Sequence, residues 1–95
     1  MDSIQDFDLP KTLITRILKT ALPPGTLIQK EARLAFLKAA TVFIHYITAT
    51  ANDLVLQSNH KTLTPQVIYK ALELVDMESL VPGVSERVEG ARFCS

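Results

Sequence analysis

The sequence predicts an all-α domain built from one long central helix and shorter helices on either side of it. Residues 30–58 contain no glycine or proline, and their apolar side chains recur at three- and four-residue steps, the spacing of helical faces. Residues 11–22 and 64–76 repeat this spacing over shorter stretches, and turn-forming residues separate the segments. The chain has 95 residues, of which 47% are hydrophobic and 21% charged, which is enough for one domain.

The first helix is predicted to begin at Pro10 or Lys11, because proline suits the first position of a helix. Residues 23–25, Pro-Pro-Gly, end it after about three turns. Residues 26–28 are expected to be extended, since Leu27 and Ile28 favour that geometry. The helix carries a single apolar stripe, formed by Leu13, Ile14, Ile17, Leu18, Ala21 and Leu22.

The central helix would be roughly 40 Å long, which exceeds the width of a small domain. It carries two apolar stripes, one through Phe36 and Phe43 and the other through Leu37 and Ile44. We expect the two short helices to pack across one side of it, which leaves the other side apolar and uncovered. A second chain of similar shape is the simplest cover, so the pattern predicts an obligate dimer with a large interface.

The third helix is predicted to start with Thr64 as its N-cap and Pro65 at its first position. Its apolar stripe runs to about Asp76 through Val67, Ile68, Ala71, Leu72 and Val75. Pro82-Gly83 then predicts a break, followed by a short final helix. These assignments divide the chain into a flexible acidic arm (1–8), a helical domain (9–92) and a tail (93–95).

Charge is unevenly distributed along a chain whose net charge is zero. Residues 1–8 carry −3, residues 9–70 carry +6 and residues 71–95 carry −3. A basic middle between acidic ends favours a surface that faces a polyanion. The single cysteine, Cys94, predicts a reducing compartment. No signal-peptide pattern is present, and the uncharged run of residues 39–52 is shorter than a membrane span, so we expect no membrane partner.

Side chains suited to catalysis or metal binding are few. His45 and His60 have no cysteine or paired carboxylate at ligand spacing. Residues 24–26 lack the Gly-x-x-x-x-Gly-Lys pattern that binds phosphates, and Cys94 lies in no recognisable nucleophile context. The sequence therefore predicts no catalytic residue, no metal site, no cofactor and no enzymatic activity.

The helix order and several short runs resemble the histone fold over residues 9–91. The runs are Leu9-Pro10, Ile14-Thr15-Arg16-Ile17, Ala21-Leu22-Pro23, Lys30-Glu31-Ala32-Arg33, Val42-Phe43, Ala51-Asn52 and Lys61-Thr62-Leu63. Within that fold the chain is similar to the accessory subunits of DNA polymerase epsilon, which animals share with an ISWI-type chromatin-remodelling complex. The B subunit of nuclear factor Y and the beta subunit of negative cofactor two are related, and residues 43–45 and 64–65 look more like the latter.

This resemblance implies a non-catalytic nuclear subunit that pairs with a second histone-fold chain similar to the C subunit of nuclear factor Y. The pair would bind double-stranded DNA without sequence preference and join it to a polymerase catalytic subunit or a remodelling ATPase. The alternative is a promoter regulator resembling negative cofactor two or nuclear factor Y. The residues implied to meet DNA phosphates are Lys11, Thr15, Arg16, Lys19, Lys30, Lys61 and Thr62.

Apolar residues divide into two expected groups. Leu13, Ile17, Val67 and Leu72 are expected to form core within the chain. The residues expected to face the partner chain are Phe36, Ala40, Phe43, Ile47, Leu54 and Leu80.

One departure from the histone pattern concerns the second loop. Many histone folds pair an arginine in that loop with an aspartate early in the third helix, and those positions are His60 and Val67 here. Because both partners are replaced, no buried charge is left alone, but the loop loses a charge-assisted hydrogen bond. A scaffold without DNA affinity is therefore a third hypothesis.

Overall fold

The computed structural model describes the backbone of residues 9–94 and the side chains of residues 9–92. Its helices are α1 (Lys11–Ala21), α2 (Lys30–Gln57), α3 (Pro65–Leu74) and α4 (Val81–Cys94), with a 3-10 turn at Glu78–Leu80. Residues 9–94 contain no strand, which agrees with the predicted all-α class. The predicted acidic arm, residues 1–8, lies outside the described residues, and α4 continues two residues past the predicted domain end at 92.

Residues 1–45 form one compact unit, which contains α1 and the first part of α2. Its buried side chains are Ile14 on α1 and Leu37 and Thr41 on α2. The prediction that Leu13 and Ile17 belong to the core is wrong, because they are 43% and 53% exposed. Side chains of successive helical residues point in directions about 100° apart, so the apolar stripe of α1 is wide. Only the part of the stripe at Ile14 is buried.

Residues 46–95 form the second compact unit, in which α3 contacts both the 3-10 turn and α4. Its buried side chains are Ile47, Ala51, Val55, Ala71 and Leu72. Leu72 is 3% exposed, which confirms its predicted place in the core, whereas Val67 is only partly buried.

Helix α3 begins as the sequence predicts. The backbone N–H of Val67 donates to the Thr64 hydroxyl oxygen at 3.3 Å, and Pro65 occupies the first helical position. Thr64 therefore satisfies one of the N–H groups that the first turn of a helix leaves without an intrahelical partner.

Helix α2 ends in a Schellman motif that also shapes the following loop. The N–H of His60 donates to the Val55 carbonyl at 3.0 Å, and the N–H of Asn59 donates to the Leu56 carbonyl at 3.2 Å. Asn59 closes the motif in the left-handed region, with φ of 59°. Asparagine tolerates this conformation better than most residues other than glycine.

Helix α3 ends in the same motif, closed by Asp76 with φ of 62°. The N–H of Met77 donates to the Leu72 carbonyl at 2.8 Å, and the N–H of Asp76 donates to the Glu73 carbonyl at 3.1 Å. Aspartate, like asparagine, adopts this conformation more readily than most residues but less readily than glycine, and a carboxylate at a helix C-terminus faces the negative end of the helix dipole. Asp76 is therefore less favourable than glycine at this position on two counts.

We expect Asp76→Gly to raise the free energy of unfolding by about 1 kcal/mol, because glycine adopts this conformation more readily and removes the charge. Urea denaturation of the purified protein at fixed concentration measures this change. Asp76→Asn is the matched control, because asparagine removes the charge but keeps a side chain, and we expect about half the gain. A less stable Asp76→Gly protein would contradict the explanation.

The predicted break at Pro82-Gly83 is wrong. Helix α4 begins at Val81 and runs for 14 residues through both of them. Pro82 lies in the first turn, where a backbone N–H would have no intrahelical partner in any case. Gly83 lowers helix propensity by about 1 kcal/mol but does not interrupt the helix.

Helix α2, at 28 residues, is long and apolar enough to cross a membrane by length and composition. Its most apolar window has a mean hydropathy of 1.4 and is 22% buried. We expected no membrane span because the uncharged run, residues 39–52, is too short to cross a membrane. That count stopped at the first charged residue on each side, whereas the apolar window of α2 extends past one. A central helix that is covered by other protein meets the same criteria, so this apolarity also fits the predicted partner chain.

Candidate nucleic-acid interface

A cleft of about 500 Å³ lies within the unit of residues 1–45, between α1 and the first turns of α2. Its lining residues are Lys11, Ile14, Thr15, Lys30, Glu31, Arg33, Leu34 and Leu37. It thus brings together Lys11, Thr15 and Lys30 of the predicted phosphate contacts. We call it the cationic cleft, because Lys11, Lys30 and Arg33 outweigh the single carboxylate of Glu31.

The rim of the cationic cleft is polar and its floor is apolar. Lys11, Lys30 and Arg33 are exposed, and within residues 9–94 no ion pair joins any of them to a carboxylate. The floor contains Ile14 and Leu37, which are 7% and 3% exposed. The three cations are therefore available to an anion from outside the described chain.

The start of α1 adds to the positive potential at this rim. Within residues 9–94 no side chain caps this helix end, and its first turn contains no acidic residue. Helix N-termini carry N–H groups without intrahelical partners and a partial positive charge. Lys11 lies in this turn, so its charge and that of the helix end act together.

Thr15 lines the cleft but uses its hydroxyl hydrogen locally. The hydroxyl donates to the Lys11 carbonyl at 2.9 Å. A phosphate contact from this hydroxyl would require that hydrogen bond to break, so Thr15 is a weaker candidate than its three cationic neighbours.

Arg33 is a cleft residue that the sequence reasoning did not assign. It belongs to the run Lys30-Glu31-Ala32-Arg33, in which only Lys30 was predicted to contact phosphate. Residues three apart on a helix lie on neighbouring parts of one face, so the spacing of Lys30 and Arg33 is the signal that could have found it.

The remaining predicted phosphate contacts lie elsewhere. Arg16 and Lys19 are exposed on α1 but do not line the cleft. Lys61 and Thr62 are exposed in the loop between α2 and α3, in the unit of residues 46–95. The structure thus brings together only part of the predicted set.

The predicted partner-facing residues differ in exposure. Phe36 and Leu80 are 50% and 47% exposed, and Ala40, Phe43 and Leu54 are partly exposed. Ile47 is only 8% exposed, because it shares a helical stripe with the buried Ala51 and Val55. It therefore offers a partner little surface. Helix α2 also exposes large apolar side chains that were not predicted to face the partner. These are Leu34, Val42, Ile44, Tyr46 and Leu56.

Residues 7–72 match the family described as "Histone-like transcription factor (CBF/NF-Y) and archaeal histone". The chain belongs to this histone-like family. The match confirms the predicted histone fold. Together with the polymerase relatives, it also confirms the prediction that the chain is not an enzyme.

Relatives of this histone-like chain include subunits of DNA polymerase epsilon. It is 38% identical over 89 residues to DNA polymerase epsilon subunit 3 of Drosophila melanogaster, which covers 94% of the chain and 70% of that relative. It is 40% identical over 88 residues to the human protein of the same name, covering 93% of the chain and 60% of the relative. The Protein Dr1 homolog of Arabidopsis thaliana is 25% identical over 91 residues, covering 96% of the chain and 57% of the relative. The predicted resemblance to polymerase epsilon subunits is confirmed, and sharing with an ISWI-type complex stays a prediction.

The second loop of this histone-like chain is shaped by backbone hydrogen bonds. The Schellman motif at the end of α2 fixes the N–H of His60 against Val55, one residue before Lys61. This motif restrains the start of the loop, although His60 and Val67 replace the expected arginine and aspartate.

Proposed function

We propose that the chain is a nuclear histone-fold subunit of DNA polymerase epsilon, which pairs with a second histone-fold chain and binds double-stranded DNA through its phosphates. The observation that carries the proposal is 38–40% identity to polymerase epsilon subunits from fly and human over 93–94% of the chain. The chain spans 60–70% of the length of those relatives, so their assembly is part of the proposal.

Exposed apolar surface supports the pairing. Phe36, Ile44 and Tyr46 are each about half exposed on α2. Burial of such side chains by a partner would stabilise the pair by about 25 cal/mol for each Å² of apolar surface removed from water. Obligate interfaces of this kind bury 2,000 Å² or more in total, so we expect the partner to cover side chains along much of α2.

The charges of the cationic cleft support DNA binding. Lys11, Lys30 and Arg33 present positive charge without a carboxylate partner among residues 9–94, and Lys61 is a further exposed cation in the second loop. Contacts to phosphate carry no sequence information, so we expect sequence-independent binding.

Affinity purification of the tagged chain from nuclear extract, followed by mass spectrometry, tests the assembly. We expect a second histone-fold chain and the catalytic subunit of DNA polymerase epsilon in the purified complex. Recovery with the TATA-binding protein instead would favour the promoter-regulator alternative. Recovery with a remodelling ATPase and without the polymerase would mean that the chain belongs to a remodelling complex instead.

A gel-shift series with the purified pair tests DNA binding. With about four phosphate contacts from this chain, the plot of log affinity against log salt concentration should have a slope of about −3.6. Duplexes of unrelated sequence should bind within a factor of about three of one another. No retardation at low salt would contradict DNA binding and leave the scaffold hypothesis.

A further inference from the structure

The cationic cleft has a property that a DNA phosphate does not use. Its floor contains the nearly buried Ile14 and Leu37 together with Leu34, which at 48% exposed supplies most of the accessible apolar surface there. Phosphate oxygens satisfy the cationic rim but place no apolar group on this floor. A ligand with both carboxylates and an apolar side chain would match the whole cleft.

Residues 1–8 of the chain have this composition. The segment Met-Asp-Ser-Ile-Gln-Asp-Phe-Asp contains three aspartates, no lysine or arginine, and the apolar residues Ile4 and Phe7. Phe7 stands between Asp6 and Asp8. An aromatic side chain between two carboxylates is complementary to an apolar floor with a cationic rim.

The connection between this segment and the cleft is short. Phe7 is four residues from Lys11, which itself lines the cleft, and four residues span at most about 14 Å. A short tether of this kind gives an effective concentration of the order of millimolar. Weak complementarity is therefore sufficient for substantial occupancy.

We propose that the cationic cleft binds the chain's own acidic N-terminal segment, residues 1–8, with Phe7 on the apolar floor and Asp6 and Asp8 against the cations. Where the cleft also binds DNA, which rests on the function proposed above, the segment competes with phosphate. DNA must then displace the segment, so the segment lowers affinity for non-specific DNA.

The docking itself is tested without DNA. A nitroxide label is placed at residue 3 of the paired protein (Ser3→Cys, with Cys94→Ser), and paramagnetic broadening of the Leu34 and Leu37 methyl signals is measured by NMR. Strong broadening is expected. It should fall at least threefold in Phe7→Ala, which has the same charge and tether, and should be retained in Phe7→Leu.

Equal broadening in Phe7→Ala and the parent would overturn the proposal, because an undocked tether produces the same signal in both. Methyl signals that are unaffected by the label would also overturn it. That result is expected if an acidic segment of the partner chain occupies the cleft instead.

The competition with DNA is tested separately by fluorescence anisotropy of the pair on a labelled duplex. Phe7→Ala should bind about three- to tenfold more tightly, although it leaves the charge unchanged. Asp6→Asn with Asp8→Asn tests the charged contacts, with Asp2→Asn as the comparison for a carboxylate farther from the cleft along the chain. If the NMR result holds but DNA affinity does not respond to Phe7→Ala, the segment docks and the cleft is not the DNA site.

Discussion

Phe36→Ala is expected to weaken association with the partner histone-fold chain roughly 30-fold. Phe36 lies on α2 with half of its surface exposed, on the stripe that also contains Phe43 and Leu54. Truncating an aromatic residue at the centre of an interface typically costs 2 kcal/mol or more, which corresponds to a factor of about 30 in the dissociation constant. The chain's own fold should change little, because so much of the ring is outside it.

Val42→Ala is the matched control for this substitution. Val42 is 40% exposed on the same helix and lies about 120° from Phe36 around its axis. Dissociation constants for both variants can be measured by titrating the labelled chain with the partner, and circular dichroism checks that helicity is retained. Equal losses in the two variants would mean that the stripe through Phe36 is not the specific contact surface.

The helix boundaries could be predicted closely because they depend on local chemistry. Thr64-Pro65 starts α3 through a hydrogen bond within four residues, and residues 23–25 end α1 through the restricted geometry of proline. The same reasoning failed at Pro82, because proline ends a helix only when it falls beyond the first turn. The sequence alone does not say where that turn begins, since Val81 carries no strong capping signal.

The exposure of individual apolar residues could not be predicted as well. Leu13, Ile14 and Ile17 look equivalent in the sequence, and only Ile14 is buried. The width of the buried stripe depends on how one helix lies on another, which periodicity does not specify. Ile47 illustrates the same limit, because periodicity fits it equally to a partner-facing stripe and to the buried stripe that it occupies.

The cationic cleft was partly predictable for a related reason. The resemblance to histone folds placed Lys11, Thr15 and Lys30 near phosphate, and the structure puts all three in one cleft. It did not indicate Arg33 or the apolar floor, because these depend on the approach of α1 to α2. The charged residues can be identified from the sequence, whereas their position around one cleft follows from the fold.

The largest expected effect on DNA binding comes from removing the three cations of the cleft together. Lys11→Ala with Lys30→Ala and Arg33→Ala should lower affinity for duplex DNA by 10²–10³ at about 0.1 M salt and make the salt slope less steep by about 2.7. Each lost phosphate contact removes the release of nearly one counterion, which is why affinity and slope should change together. Alanine is a strong helix former, so α1 and α2 should persist.

A second triple variant separates the cleft from the overall charge. Lys70→Ala with Arg87→Ala and Arg92→Ala removes the same number of exposed cations from α3 and α4. Lys70 and Arg92 form exposed ion pairs with Glu73 and Glu89, and such pairs contribute little to stability. We expect this variant to bind DNA within about threefold of the parent protein, because none of the three residues lines the cationic cleft and two of them already face carboxylates. Losses of similar size in the two variants would mean that DNA responds to net charge, and the cleft would no longer be its binding site.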